Sequence, residues 1–225
     1  AKAERAMALV RLGADLLVAA ALAPDAKARE ERRGRFLTRY AMLLRAADEG
    51  RDTASLAAEL RREADALLQG RRPFHWPLEF PEVFDPDLGE RPIEQMLADA
   101  KAGTLSAEAT SPGFSAIVGN PPFQGGQRIT GALGVPYRDY LVENLAGGKR
   151  GSADLCAYFF LRVGAALRPA GMAGLLATNT IAQGDTREVG LDQLVANGFT
   201  IPRAVPSRPW PGTAGVEVAH VYLRR

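Results

Sequence analysis

The sequence predicts an α/β domain preceded by a helical segment, and three observations lead there. Residues 2–72 are dominated by Ala, Leu, Arg and Glu, the strong helix formers. From Phe114 onward, short apolar runs alternate with amphipathic stretches, the order that builds a mostly parallel sheet. Between these parts, Pro73, Pro77, Pro81 and Pro86 recur among Phe74, Trp76, Phe80 and Phe84, a composition that forbids a long helix. The expected divisions are 1–72, 73–113 and 114–225.

In chain order, a first helix is expected over 2–22, stopped by Pro24-Asp25. The charged stretch 27–35 leads into a second helix near 36–47, ended by Gly50. The Arg-rich part, 29–39, reads as a solvated face, with a phosphate-contacting patch as the alternative. Thr53 or Ser55 is placed to cap a third helix, whose Leu56, Leu60 and Leu67 share a face and which Gly70 closes. Residues 73–90 read as an extended segment clamped to the edge of a domain. Their aromatics and His75 serve packing. A short helix over 92–100 and a polar loop follow. Residues 115–118 form a buried strand. Leu155, Phe159, Val163 and Ala166 make a helical stripe that Pro169-Ala170-Gly171 breaks before a second strand over 172–177. Asp185, with Glu188 three residues later, resembles a capping box. Leu191, Leu194 and Val195 then give an apolar face, and Gly198 ends the helix. Strands over 201–205 and 216–223, joined by a proline-rich loop, read as an antiparallel pair at the sheet edge.

Composition narrows the function classes. The 225 residues are 47% hydrophobic and 24% charged, the balance of an ordinary globular protein. The net charge of +2 announces no nucleic-acid binder, although residues 1–72 hold 15 Lys+Arg against 11 Asp+Glu. Cys156 is the sole cysteine, which rules out an intramolecular disulfide and fits a reducing cytoplasm. On an apolar helix it reads as a small core residue. Two separated histidines and no cysteine cluster argue against a metal site. No apolar run reaches the ~18–20 residues of a membrane span. The chain does not begin with Met and reads as a piece of something longer.

The chemistry concentrates in Asn120-Pro121-Pro122-Phe123, which follows the apolar run 114–119 and leads into Gln124-Gly125-Gly126. A strand here runs into a stiff loop presenting one amide, two prolines and one ring. An exocyclic amine on a purine is a poor nucleophile because its lone pair is delocalised into the ring. Two acceptors aimed at its N–H bonds push the nitrogen toward tetrahedral geometry. The Asn120 side-chain oxygen and the Pro121 carbonyl are suited to that task, and neither competes as a nucleophile. Proline fixes φ, so the loop is preorganised. Phe123 offers a π-face to a base or to a sulfonium cation. The carboxyl end of a strand is where open α/β folds bind ligands.

Gly119-Asn120-Pro121-Pro122-Phe123 resembles the catalytic motif of the amino-methyltransferases, which methylate adenine N6 in DNA with S-adenosylmethionine. Residues 153–160, 167–171 and 174–181 are similar, in order, to the helix and strand that follow that motif. Ser207-Arg208-Pro209-Trp210-Pro211-Gly212 resembles the loop that sets an aromatic ring against the flipped base. Residues 74–84 resemble a segment of large bacterial restriction and phage-defence methylases. The likeness covers 73–225 well and 1–72 loosely. It implies the C-terminal part of a Rossmann-like methyltransferase domain acting on double-stranded DNA with a flipped adenine, in restriction–modification or another phage defence. Asn120 and Pro121 would bind the amine. Pro122 completes the motif, Phe123 would stack on the base, and Trp210 would supply the second ring. Asn120 and Phe123 would also border the cofactor, S-adenosylmethionine. Lys149, Arg150, Gln183 and Arg187 are DNA-contact candidates, and Asp154 is expected to cap its helix.

The chain departs from the family in one respect. No glycine-rich cofactor turn is found upstream of Asn120. This implies that the cofactor-binding part and a DNA-recognition domain belong to the same longer protein, and that the fragment alone is inactive. Two alternatives remain at this stage. One is a methyltransferase acting on RNA or on protein glutamine. The other is a degenerate methylase fold serving as a non-catalytic DNA- or partner-binding module.

Overall fold

The computed structural model describes residues 2–85, 112–213 and 215–225, and the expected helix over 92–100 lies outside them. The chain divides into two compact units. The first comprises Ala1–Glu79 with Val135–Tyr140, and the second Phe80–Gly134 with Leu141–Arg225.

The first unit is built on α1 (Lys2–Ala21), α2 (Ala26–Asp48) and α3 (Ala54–Leu68). Leu12, Leu16 and Ala19 of α1 recur at helical spacing and are buried with Phe36 and Leu43 of α2 and Leu60, Ala64 and Leu68 of α3. Gly13 lets α2 approach, since a Cβ there would lie 2.6 Å from the Tyr40 ring. Helix α2 starts ten residues before the expected Phe36. The Asp25 carboxylate caps it, accepting the Ala28 N–H at 2.8 Å. The charged run stays helical because its charges pair along the surface, Arg33 with Glu30 at 3.1 Å and Lys27 with Glu31 at 3.8 Å. Arg39 pairs across to Glu59 and Glu63 of α3, so the Arg-rich stretch is largely an ion-paired, solvated face. Neither expected cap acts on α3: Thr53 makes no side-chain capping bond, and Asp52 accepts the Ala54 N–H instead.

Asp15 is the buried polar residue of this unit. Its Oδ2 takes Arg61 Nη1 at 2.5 Å and its Oδ1 meets His75 Nε2 at 2.8 Å, tying α1 to α3 and to residue 75. His75 is thus a partnered structural residue, as the sequence implies.

The proline-rich stretch is not extended throughout. It forms two single turns, α4 (Trp76–Glu79) and α5 (Pro81–Phe84). Pro77 and Pro81 sit in the first turn of each, where a missing N–H costs nothing. In the second unit, Phe80 and Phe84 meet Phe114 edge-on at 5.2 and 5.5 Å, and the Gly113 N–H donates to the Val83 carbonyl.

That unit is an α/β layer in chain order: β1 (Phe114–Gly119), α6 (Gly126–Leu133), α7 (Val135–Asn144, its first residues belonging with the other unit), α8 (Leu155–Ala166), β2 (Leu167–Thr178), a 3-10 turn (Asn179–Ala182), α9 (Gly184–Val189), α10 (Leu191–Ala196), β3 (Thr200–Pro209) and β4 (Glu217–Arg224). The sheet order is β1-β2-β4-β3. Only the β1–β2 ladder is parallel, and β4 is antiparallel to both neighbours. The sheet is thus less parallel than the alternation of elements implies, because β4 returns inside the hairpin rather than outside it. β3 holds the edge.

Ala173, Leu175 and Ala177 of β2, with Ala219, Val221 and Leu223 of β4, point to one buried face. Buried Cys156, Phe160, Val163, Ile181, Val189 and Leu194 come from the helices and the 3-10 turn. The other face is open among the described residues: Val118 is 88% exposed and Met172 47%. Among the described residues β1 is accordingly an edge strand, and not the buried strand its apolar run implies. In the α8 stripe, Phe159 is exposed for its part, and Tyr158 is buried. Pro169-Ala170-Gly171 does not end α8. The helix stops at Ala166, and the tripeptide is a bulge in β2, where the register jumps from Phe114↔Leu167 to Ala116↔Met172. Asp185 is not a cap, since Gln183 holds that position. The helix expected to run on to Gly198 breaks at Gly190. Among the described residues, no helix is long and apolar enough to cross a membrane.

Candidate active site

β1 ends at Gly119, opposite Leu175 of β2, and Asn120 is the first residue off the strand. Asn120 is exposed, Pro121 buried, Pro122 exposed and Phe123 half-buried. Asn120 lines an open concavity of about 360 Å³ with Val118, Gly174, Leu176, His220 and Tyr222 of the uncovered sheet face. The lining is largely apolar, with the Asn120 amide at one end. Asn120 is therefore open to a ligand, whereas Pro121 is packed and Phe123 does not line the concavity.

The loop is fixed from its far side. The Gln124 N–H donates to Asp154 Oδ1 at 3.2 Å, and the Gln124 carbonyl accepts the Leu155 N–H at 2.8 Å. Gly126 is buried, and a Cβ there would fall on the Ser152 carbonyl, so the loop must be bare at this point. Asp154 also caps α8, as the sequence implies, by accepting the Cys156 N–H at 2.9 Å. The 149–154 turn is in turn held by α9. Lys149 pairs with Glu188 at 3.7 Å, the Ser152 N–H donates to Asp185 Oδ2 at 2.5 Å, and the Asp154 N–H donates to Thr186 Oγ1 at 3.1 Å. Burial first, then the nearby Asp154 charge, push the Cys156 thiol up to about 12, which makes it a core group and not a nucleophile.

Trp210 sits at the end of β3, half-buried, with its N–H donating to the Val216 carbonyl at 2.9 Å. Its ring lies against Gly212, where a Cβ would come within 2.7 Å of Nε1. β1 and β3 are three strand spacings apart, ~14 Å. Trp210 therefore shares the sheet end with Asn120 without lining the same concavity. Lys149, Arg150, Gln183 and Arg187 are all exposed. Arg150 pairs with Glu143 at 4.0 Å and Arg187 with Asp192 at 3.3 Å. The structure thus brings Lys149, Gln183 and Arg187 together through the α9 contacts, and leaves Trp210 apart. Sequence reasoning gave no role to His220, which lines the concavity, and did not find Thr186. Thr186 lies 32 residues from its partner and carries no local signal.

The family model described as Eco57I restriction-modification methylase matches residues 28–202. No curated protein matches the chain. Among solved structures, the type IIL restriction-modification enzyme MmeI in complex with DNA is similar at 22% identity and a TM-score of 0.42, over 48% of this chain and 15% of that one. The chain therefore spans about 15% of the length of that enzyme.

Proposed function

The chain belongs to the Eco57I restriction-modification methylase family, and on that premise we propose that it carries the target-base half of a DNA methyltransferase acting on adenine N6. In this reading, residues 114–225 are the catalytic subdomain. The observation that carries it is the state of Asn120: exposed at the carboxyl end of a strand, beside a buried proline, on a loop pinned at Gln124.

Asn120 Oδ1 and the Pro121 carbonyl oxygen accept the two N–H bonds of the target amine. That draws the nitrogen lone pair out of the ring and aims it. Phe123 stacks on the base. Trp210 closes from the far side of the sheet end once DNA is engaged. Extrusion of a base costs a few kcal/mol, and stacking on an aromatic ring returns ~1–3 kcal/mol. Lys149, Arg150, Gln183 and Arg187 contact the DNA backbone around the extruded base.

The donor proposed is S-adenosylmethionine. Asn120 fits its reactive end, because it borders a largely apolar concavity, and Phe123, half-buried three residues on, is the ring the reading assigns beside it. When bound, it supplies a methyl carbon that takes the nitrogen lone pair while the carbon–sulfur electrons stay on sulfur. Asn120 and Pro121 then hold the amine while its surplus proton passes to water. Among the described residues no strand precedes β1, and the reading places the rest of the cofactor site outside them.

The test is methyl transfer by the full-length protein to DNA, RNA and protein acceptors, with the product base identified. Methylated adenine in DNA is expected. Asn120→Ala should lower transfer by at least about a hundredfold while DNA binding persists. Full activity in that variant, or methyl found on another acceptor, overturns the reading.

A further inference from the structure

The loop between β1 and Gln124 has few ways to be held. Pro121 and Pro122 lack N–H groups, so neither can be anchored by donation. Its fixed points are Gly119, in the ladder with β2, and Gln124, one residue past the ring of Phe123. At Gln124 both backbone groups are engaged, the N–H by Asp154 Oδ1 and the carbonyl by the Leu155 N–H. Asp154 is buried, and its own N–H is taken by the buried Thr186 hydroxyl.

The geometry points to Asp154 as a positioning residue for methyl transfer: it latches the loop bearing Asn120, Pro121 and Phe123, with Thr186 as its brace. The inference rests on the reading of Asn120 and Pro121 as the amine acceptors. Asp154 Oδ1 accepts two backbone N–H groups, with the Cys156 thiol beside the carboxylate, so it acts on the loop as an acceptor, a role an amide oxygen can also fill. Movement of the loop by an ångström would misdirect both acceptors together, and errors of that size cost on the order of a hundredfold in rate.

The test uses the full-length protein with Asp154→Ala, Asp154→Asn and Thr186→Val. In Asp154→Ala, kcat should fall on the order of tenfold to a hundredfold, with KM for DNA within about threefold of wild type. Asp154→Asn keeps an oxygen acceptor and should restore activity to within about threefold of wild type. Hydrogen exchange provides a readout independent of activity. The Gln124 amide should exchange at least about tenfold faster in Asp154→Ala while β4 amides are unchanged. Thr186→Val should show the same changes at smaller size, and it stands in if Asp154→Ala fails to fold. Unaltered exchange at Gln124 overturns the latch, as does an Asn variant no better than Ala. If wild-type protein leaves DNA adenine unmethylated while Asp154→Ala still loosens the loop, the proposed function falls and the latch stands.

Discussion

Asp15 and Asp154 are buried to nearly the same depth, 7% and 6% exposed, and are held in opposite ways. Asp15, in the helical unit, faces a guanidinium and an imidazole. Asp154, in the α/β unit, faces the N–H groups of Gln124 and Cys156. A carboxylate paired with a guanidinium is there for its charge. A carboxylate among amides is there for its lone pairs. The first kind holds helices together, and the second fixes the path of a loop to within a hydrogen-bond length.

Four substitution experiments break or sharpen that contrast. The largest effect is expected for Asp15→Ala, which strands Arg61 and His75. Its cost by denaturant unfolding should be roughly 2–4 kcal/mol, below a fully buried pair because Arg61 keeps part of its solvent. Asp154→Ala removes a helix cap and leaves two N–H groups without their acceptor, for about 1–2 kcal/mol. Equal costs for the two would erase the distinction.

The third experiment concerns the thiol behind Asp154. Folding raises Cys156 from 9.0 to about 12, so the unfolded chain loses that proton first. The unfolded state then binds fewer protons than the folded one from about pH 9 upward. Stability must fall there by up to about 1.4 kcal/mol per pH unit, until the folded thiol also ionises. Burial raises Tyr40 and Tyr137 as well, with the same sign. The measurement is therefore the difference between wild type and Cys156→Ala, compared at pH 8 and pH 10. A slope identical in both would remove the thiol from the balance.

The amide variants come last, and the smallest expected effect is the one at Asp154. Asp154→Asn should cost less than about 0.5 kcal/mol, since Asn caps helices as well as Asp does. Asp15→Asn should cost more, roughly 1–2 kcal/mol, because it keeps an acceptor but gives up the ion pair with Arg61. A reversed order in thermal unfolding would mean that Asp154 depends on its charge after all.

How much of this was legible in the sequence varied by element. Helices α1 and α3 announce themselves through leucines at helical spacing. Helix α2 does not, because its first half is Arg and Glu with no apolar period, and what holds it is surface pairing plus the Asp25 cap. The Asn120 loop was readable because a strand end, two prolines and a ring are adjacent in sequence. Its latch was half readable: Asp154 sits before an apolar helix, as a cap must. Thr186 and Asp185 were beyond reach, since their partners lie more than thirty residues away. The burial of β1 was misjudged for a related reason. An apolar run says that a strand wants cover, not that cover is present, and here one face of the sheet has none among the described residues. The Pro169–Gly171 bulge misled because such a tripeptide ends helices far more often than it interrupts strands.

The bare rim of β1 has a practical consequence. Its six residues, Phe114–Gly119, contain no charge and no proline, the usual guards against edge-to-edge association. Among the described residues no strand pairs with the side of β1 away from β2, and over 115–119 that side offers amides and carbonyls to an extended backbone, including that of another molecule. Concentration rather than heat should then decide how long a solution of this polypeptide stays clear, with light scattering rising well before any loss of helical circular dichroism.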